Sequence, residues 1–255
     1  MKKIVSVVTV CKNDESGLSR TISSLISQNI SNWESIIVIG DSTDGSLEVA
    51  NDLSKIDTRI RVIQQSTTGI YQGMNEGLQV ADGETIWFMN SGDIFPDSQT
   101  LSLGAQALNS SETLCIIGGY QYLQGSNLFK YSKKLRKLSP LNFSLNVRGG
   151  CHQAMAFDTK SLKIMEGFDL KYNLASDFHL VLRLFNLGDI YRIPDVLAQI
   201  ELGGVSQKQI SNVLKEKQQI RRELFPTNSI IIWSGNIWTL TVRTKIFFRK
   251  LGLIK

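Results

Sequence analysis

The stretch ETIWFMNSGDIFP (residues 84–96) is a strand-length apolar run, TIWFMN, that stops abruptly at Ser91, Gly92 and Asp93 and turns at Pro96. Runs of about four to eight β-branched and aromatic residues bounded by turn residues read as buried strands. What surrounds this run decides the kind of sheet. IVSVVTV (4–10), SIIVIG (35–40) and RVIQQ (61–65) are further strand-length runs. Between them lie helical patterns: Leu18, Ile22, Leu25 and Ile26 after the first, a segment that Ser42 or Asp44 can cap after the second, and GMNEGLQVA after the third. Strands alternating with helices predict βαβ units and an α/β fold with a mostly parallel central sheet.

Ligands of such sheets bind at the carboxyl ends of the strands. Cys11 to Asp14, Gly40 to Asp44 and Asn90 to Asp93 therefore fall along one edge. Neither GxGxxG nor GxxxxGK[ST] occurs, so a phosphate site must be built from other groups. Asp93 is a hard oxygen ligand placed to hold a divalent metal, and Gly92 beside it admits phosphates close to the backbone. The same carboxylate could instead cap a helix starting near Ser98.

Beyond residue 96 the pattern is less regular. LCIIGGYQYLQ (114–124) and NLFKYS (127–132) predict a hairpin, 133–148 a basic loop, and CHQAMAFD (151–158) a strand. SDFHLVLRLFNLG (176–188) reads as a helix, DIYRIPDVLAQIE (189–201) as two short strands, and 206–225 as a polar helix. His179 is expected to pack on its helix.

The chain of 255 residues is 42% hydrophobic and 20% charged, which excludes a disordered chain. Its three cysteines, Cys11, Cys115 and Cys151, lack CxxC spacing, so neither a disulfide framework nor a zinc site is expected. The apolar-leaning run after Met1-Lys2-Lys3 ends at Lys12, too short for a signal peptide or span, and a cytoplasmic location is expected. The net charge of +5 is uneven. No acid occurs from Thr113 to Phe157, where Lys130, Lys133, Lys134, Arg136, Lys137 and Arg148 collect. After Glu223 acids vanish again, and Arg243, Lys245, Arg249, Lys250 and Lys255 alternate with Ile246, Phe247, Phe248, Leu251 and Ile254. Such clusters attract phosphates, but neither carries a nucleic-acid reader motif, so no nucleic acid is expected as partner. With Trp233 and Trp238, the end of the chain has the composition of an interfacial amphipathic helix, a core-packing helix being the competitor.

Taken together, VSVVTVCKN, WESIIVIGDSTDGS, GIYQGMNEGLQVADGETIWFMNSGD, HQAMAF, ASDFHL and GGVS follow the order and spacing of family 2 glycosyltransferases. From Ile4 to Glu223 the chain resembles the GT-A-fold members that build bacterial surface polysaccharides such as capsule or O-antigen. The resemblance implies a Rossmann-like three-layer α/β/α domain over 1–225, with a nucleotide-binding half (1–93) and an acceptor-binding half (94–225), followed by a basic tail (226–255) on the cytoplasmic face of the inner membrane. It implies that Asp93 ligates Mg2+ or Mn2+ bridging the phosphates of a nucleotide-sugar, with Asn90 and Ser91 alongside. Thr9, Val10 and Asn13 would border the base and ribose, with Asp41 nearby, and His152 and Gln153 would lie on the acceptor and diphosphate side. Asp177 would be the catalytic base, although on its own it reads equally as a first-turn helix carboxylate favoured by the helix dipole. The donor would be a UDP-sugar and the acceptor a saccharide on a lipid diphosphate. One base and no protein nucleophile imply single displacement with inversion. A Cys151–His152 nucleophilic pair is disfavoured, because neighbours on a strand face opposite sides.

Four positions depart from the family pattern. Ile39, Thr67, Asn90 and Gly92 stand where it carries acids, Ile39 at the place of the base-recognising Asp, with Asp41 two residues later. These departures leave the nucleotide open and leave a non-catalytic GT-A-fold scaffold as the alternative. A sugar-1-phosphate nucleotidyltransferase would need a Gly-rich basic loop where VCKNDESGLSR stands.

Overall fold

The computed structural model of the chain describes residues 5–108, 112–124, 128–129, 134–145, 150–233, 235–236 and 244. The basic residues Lys130, Lys133 and Arg148, most of the NLFKYS segment and residues 234, 237–243 and 245–255 of the basic, aromatic tail lie outside the described residues.

The amino-terminal half alternates as its pattern predicts: β1 Val5–Cys11, α1 Glu15–Ile26, β2 Trp33–Ile39, α2 Ser46–Ile56, β3 Ile60–Gln64, α3 Ile70–Val80 and β4 Thr85–Asn90. The four strands pair in the order β3-β2-β1-β4, all parallel. Next come α4 Thr100–Ala107, β5 Thr113–Tyr122, β6 Leu128–Phe129, β7 Arg136–Lys137 and α5 Pro140–Leu145. A 3-10 turn, His152–Ala154, leads into β8 Met155–Asp158 and α6 Thr159–Ile164, followed by α7 Ser176–Leu184, β9 Asp189–Ile200, α8 Val205–Lys208 and α9 Ile210–Leu224. The sheet continues from β4 as β8-β5-β9-β7. β8 runs antiparallel to both β4 and β5, whereas β9 runs parallel to β5. The sheet is thus mixed, with a wholly parallel amino-terminal part.

Four expectations for the second half need correction. Residues 151–158 begin as a 3-10 turn and become a strand only at Met155. Residues 189–200 form one strand; Pro194, which lacks an N–H, sits where the register against β5 shifts between Ile117 and Gly119. The segment expected as a loop holds β7 and α5. The helix expected over 206–225 is broken at Gln209, the C-cap of α8 and N-cap of α9.

Alternation along β1 sorts the two cores. Val5, Val7 and Cys11 pack with Leu18, Ile22, Ala50 and Leu101 of α1, α2 and α4. Val8 faces the other layer with Met74, Leu78, Leu162 and Phe178 of α3, α6 and α7. This is the three-layer α/β/α arrangement. Glycines set the approach of α3, since a Cβ at Gly77 would lie 2.3 Å from Val8 Cγ1.

Candidate active site

The sheet brings distant segments to one edge. Thr85 opposes Asp158 and Trp87 opposes Ala156, so the residues just before β8 lie beside the carboxyl end of β4. β9 runs in the direction of β4, and Ile94 bridges Gln199, so its carboxyl end reaches the same place. His152, Gln153 and Glu201 therefore converge on Asn90 to Asp93.

The SGD turn is held mainly by α1. Thr21 Oγ1 donates to Asp93 O at 2.7 Å and accepts from Gly92 N–H at 3.0 Å. One and two turns on, Ser24 Oγ accepts from Phe95 N–H and Gln28 Nε2 donates to Asp97 O. This polar stripe satisfies loop backbone that would otherwise be buried without partners. Ser91 commits its hydroxyl to Asp14 Oδ2 at 2.7 Å, tying β4 to the N-cap of α1. Gly92 has φ +92°, which only glycine adopts readily, and its missing Cβ would lie 2.6 Å from Glu201 Oε2. The glycine thus also makes room for a neighbouring carboxylate.

Asp93 is buried and caps nothing; at the start of α4, Asp97 Oδ1 accepts from Gln99 N–H and the Thr100 hydroxyl, and Leu101 N–H donates to Gln28 Oε1. Asp93 Oδ2 accepts from Gln153 Nε2 at 2.7 Å and Oδ1 from Glu201 N–H at 2.8 Å. Burial pushes its pKa up to about 6, against the pull of these two bonds and of His152. Gln153 is itself pinned, its carbonyl accepting from Trp87 Nε1 at 2.7 Å. Its Oε1 is buried without a hydrogen-bond donor. A carboxylate has about four lone-pair sites, of which Asp93 uses one on each oxygen. With the orphaned amide oxygen beside it, this donor set fits Mg2+ or Mn2+, which bind through one or two carboxylates plus substrate phosphates. Among the described residues no group of three or more His, Cys, Asp and Glu is arranged to hold a metal by itself.

His152 connects this turn to Asp177. Its Nε2 lies 3.3 Å from Asn90 Oδ1 and its Nδ1 lies 3.7 Å from Asp177 Oδ2. Burial raises the pKa of Asp177, but His152, Lys217 and the Phe178 N–H, which donates at 2.7 Å, outweigh it and hold the carboxyl below its usual range. Tyr71, at the start of α3, meets the His152 ring edge-on at 6.5 Å, and burial with the Asp177 charge pushes its hydroxyl well up. Tyr71 stacks on Phe168, whose N–H and C=O are both bound by the Asn75 amide at 2.8 Å. The Asn of GIYQGMN is thus a clamp.

α7 needs help at its start, because its N-cap is Ala175, which has no side-chain acceptor. Glu216 of α9 instead holds the segment leading into it, accepting from the N–H groups of Asn173, Leu174 and Ala175 at 3.2, 2.9 and 2.9 Å. The residues immediately before Asp177 are thereby fixed by a different helix.

At the other end of the edge, Asn13 adopts φ 52°, and its Oδ1 accepts from Thr43 N–H at 2.7 Å. Val10 is half-buried and Asp41 exposed, both at this edge. Thr9 is fully buried and shares its sheet face with Val7 and Cys11, which corrects its assignment as a ligand-bordering residue. His179 packs against Tyr172, with Nδ1 3.7 Å from Asp169 Oδ2, rather than in the cleft. His152 starts the 3-10 turn with Cys151 as its N-cap, neither lying on a strand, and burial raises the Cys151 thiol pKa well above its usual value, so no nucleophilic pair forms. Tyr71, Glu201, Glu216 and Lys217 were not foreseen; the one local hint was an acceptor-less residue at the start of α7.

The candidate site residues gather at the strand ends of a mixed, three-layer α/β/α sheet, the edge where ligands of such folds bind. Residues 6–165 match the profile "Glycosyl transferase family 2", and the chain belongs to that family and is a glycosyltransferase. A "PGL/p-HBAD biosynthesis glycosyltransferase" of Mycobacterium bovis (strain BCG / Pasteur 1173P2) is 24% identical over 221 residues, 85% of this chain and 82% of that one. Residues 1–349 of S. aureus TarS superpose with TM-score 0.69 and 18% identity over 86% of this chain, which spans only 65% of that one. The UDP complex of the same TarS fragment gives TM-score 0.66 and 20% identity, covering 87% and 70%. The mannosyltransferase PcManGT from Pyrobaculum calidifontis, in complex with GDP-Man and Mn2+, gives 0.65 and 12%, covering 96% and 76%. The likenesses establish the GT-A fold.

Proposed function

We propose that the chain is a metal-dependent inverting glycosyltransferase that moves a sugar from a UDP-sugar to a saccharide on a lipid diphosphate, in surface polysaccharide synthesis. The observation that carries this reading is the Asn90–His152–Asp177 array, a carboxylate held ionised across one imidazole from the end of β4.

Asp177 is the general base. It takes the proton of the acceptor hydroxyl as that oxygen bonds to the anomeric carbon and the bond to the diphosphate oxygen breaks, so configuration inverts. His152 and Tyr71 orient the carboxylate, and Asn90 faces the donor. Asp93, with Gln153 Oε1, would hold Mg2+ or Mn2+, which when bound neutralises charge on the leaving diphosphate. Val10, Asn13 and Asp41 border the nucleoside, and Ser91 acts through its backbone because its hydroxyl is engaged. The UDP complex of TarS and the GDP-Man and Mn2+ complex of PcManGT support a nucleotide-sugar donor and a divalent ion.

Among the described residues no helix is long and apolar enough to cross a membrane. Attachment to the inner-membrane surface through the tail is supported by Ile230 and Trp233, which are 67% and 69% exposed at its beginning.

The test is transfer by the purified chain from a panel of UDP-sugars to a synthetic lipid-diphosphate saccharide. Product with inverted anomeric configuration, formed with Mn2+ and lost with chelator, is expected. Retention of configuration, or transfer indifferent to chelator, would refute the mechanism. Sedimentation with phosphatidylglycerol vesicles, weakened by salt, is expected for the full chain; its absence would remove the membrane reading.

A further inference from the structure

The ends of β1, β2 and β3 and the start of α3 meet at the carboxyl edge of the sheet, where Gln65 is half-buried. Ile39 offers nothing there, since its side chain is buried in the core. Gln65, the residue after β3, does. Its backbone N–H donates to Ile39 O at 2.8 Å, and its side-chain Nε2 donates to Gly69 O at 2.7 Å. A carbonyl oxygen only accepts, so this bond assigns the amide: Nε2 faces Gly69 and Oε1 faces away. Among the described residues no hydrogen bond to Oε1 is made.

That oxygen packs against two buried glycines, whose missing side chains make room for the amide itself. A Cβ at Gly40 would lie 3.4 Å from Gln65 Oε1, and a Cβ at Gly73 would lie 3.3 Å from it. The walls are apolar: the Lys12 stem, with Cβ 3.3 Å from the Gly40 position, and Val10 Cγ1, 3.0 Å from the Gly73 position. An oriented acceptor between apolar walls, at the carboxyl edge of a parallel sheet, suits a planar heterocycle that presents a ring N–H.

We infer that Gln65 reads the nucleobase of the donor by accepting a ring N–H flanked by a carbonyl, as in uracil N3–H or guanine N1–H. This rests on the nucleotide-sugar reading above. Cytosine and adenine present a lone pair at the corresponding ring nitrogen, so they meet the Gln65 oxygen with repulsion. Sites built to bond an N–H discriminate strongly against analogues that lack it. A neutral amide thereby does the work of the acid missing at Ile39, and the acceptor is a side chain from the next strand.

Calorimetric titration of the full chain with UDP, GDP, CDP and ADP in the presence of Mn2+ tests this. UDP or GDP is expected to bind at least about tenfold more tightly than CDP and ADP, and the tighter of the two names the base. Gln65→Met, which keeps volume but has no acceptor, is expected to weaken that nucleotide about tenfold and erase the preference over CDP, with inorganic diphosphate binding retained. Gly40→Ala, which keeps the amide but crowds its Oε1 from 3.4 Å, is expected to weaken the same nucleotide, so the result does not depend on Gln65→Met folding normally. Unchanged base preference in both variants, or loss of preference in Asp41→Asn with Gln65 intact, would overturn the assignment. Equal binding of UDP, GDP and CDP by the wild-type chain would overturn Gln65 alone; binding of none would overturn the donor reading with it.

Discussion

Asp177 Oδ2 lies 3.7 Å from His152 Nδ1, and the opposite nitrogen of the same ring faces Asn90 Oδ1 at 3.3 Å. The candidate base thus faces the end of β4 through one side chain. Asp177→Asn keeps the shape and removes the proton acceptor. Transfer is expected to fall by about 10²–10⁴-fold with nucleotide affinity retained, since general-base catalysis is worth about that much. Single-turnover transfer together with nucleotide titration checks both halves.

Asp93 predicts a stability effect of unusual sign. Its folded pKa of about 6 lies above the ordinary 3.8, so between those values the folded chain holds the proton more tightly than the unfolded one. Its contribution is most favourable below the lower value and is lost as pH rises through the upper, a difference of about 3 kcal/mol. Asp93→Asn should remove that dependence. Gln153 can turn its orphaned Oε1 toward the new amide while the Glu201 N–H keeps its acceptor. The variant is expected to unfold at equal or higher denaturant than wild type at pH 7.5, yet to lose metal-dependent nucleotide binding. Denaturant titrations at pH 5 and 7.5 with calorimetry measure both effects.

The same titration bears on activity. Asp177 is held below the usual carboxylate range and stays ionised as pH falls, whereas Asp93 takes a proton near 6. The acid limb of kcat/KM, which reports the free enzyme, is therefore expected near pH 6 rather than near 4 at subsaturating metal. A pH–rate profile locates it.

Glu216 is a positioning residue for Asp177. Glu216→Ala strands three N–H groups ahead of α7 and is expected to destabilise the fold by about 1–3 kcal/mol. It should also lower kcat more than it raises KM for the donor. Glu216→Gln keeps an acceptor and should recover part of kcat. Equal recovery of stability without kcat would leave Glu216 a purely structural tie.

Gly77 gives a packing test. Gly77→Ala puts a methyl 2.3 Å from Val8 Cγ1, and overpacking of this kind costs about 1–3 kcal/mol. Val8→Ala makes room, so the double variant should be more stable than the sum of the two singles. Thermal melts of the four proteins give the coupling.

The amino-terminal half was legible because its signals are local. β-branched runs, helical spacing and turn residues recur within a few positions, and β4 begins and ends where TIWFMN does. The second half was harder. A 3-10 turn before β8, and a Pro-containing strand that survives by shifting register, leave no periodic trace.

The site divides along the same line. Asp93 was readable as a candidate from residue type and its position after a strand, whereas Asp177, His152 and Gln153 were candidates through the resemblance to the family. What each touches was decided by the tertiary fold. His152 meets Asn90 because β8 inserts antiparallel beside β4, and Glu216 reaches the start of α7 because α9 packs across it. Thr9 is lost to the core by the alternation of β1. Secondary structure follows from neighbours in the chain, but hydrogen-bond partners and burial come from segments brought together across the sheet, where no local pattern records the meeting.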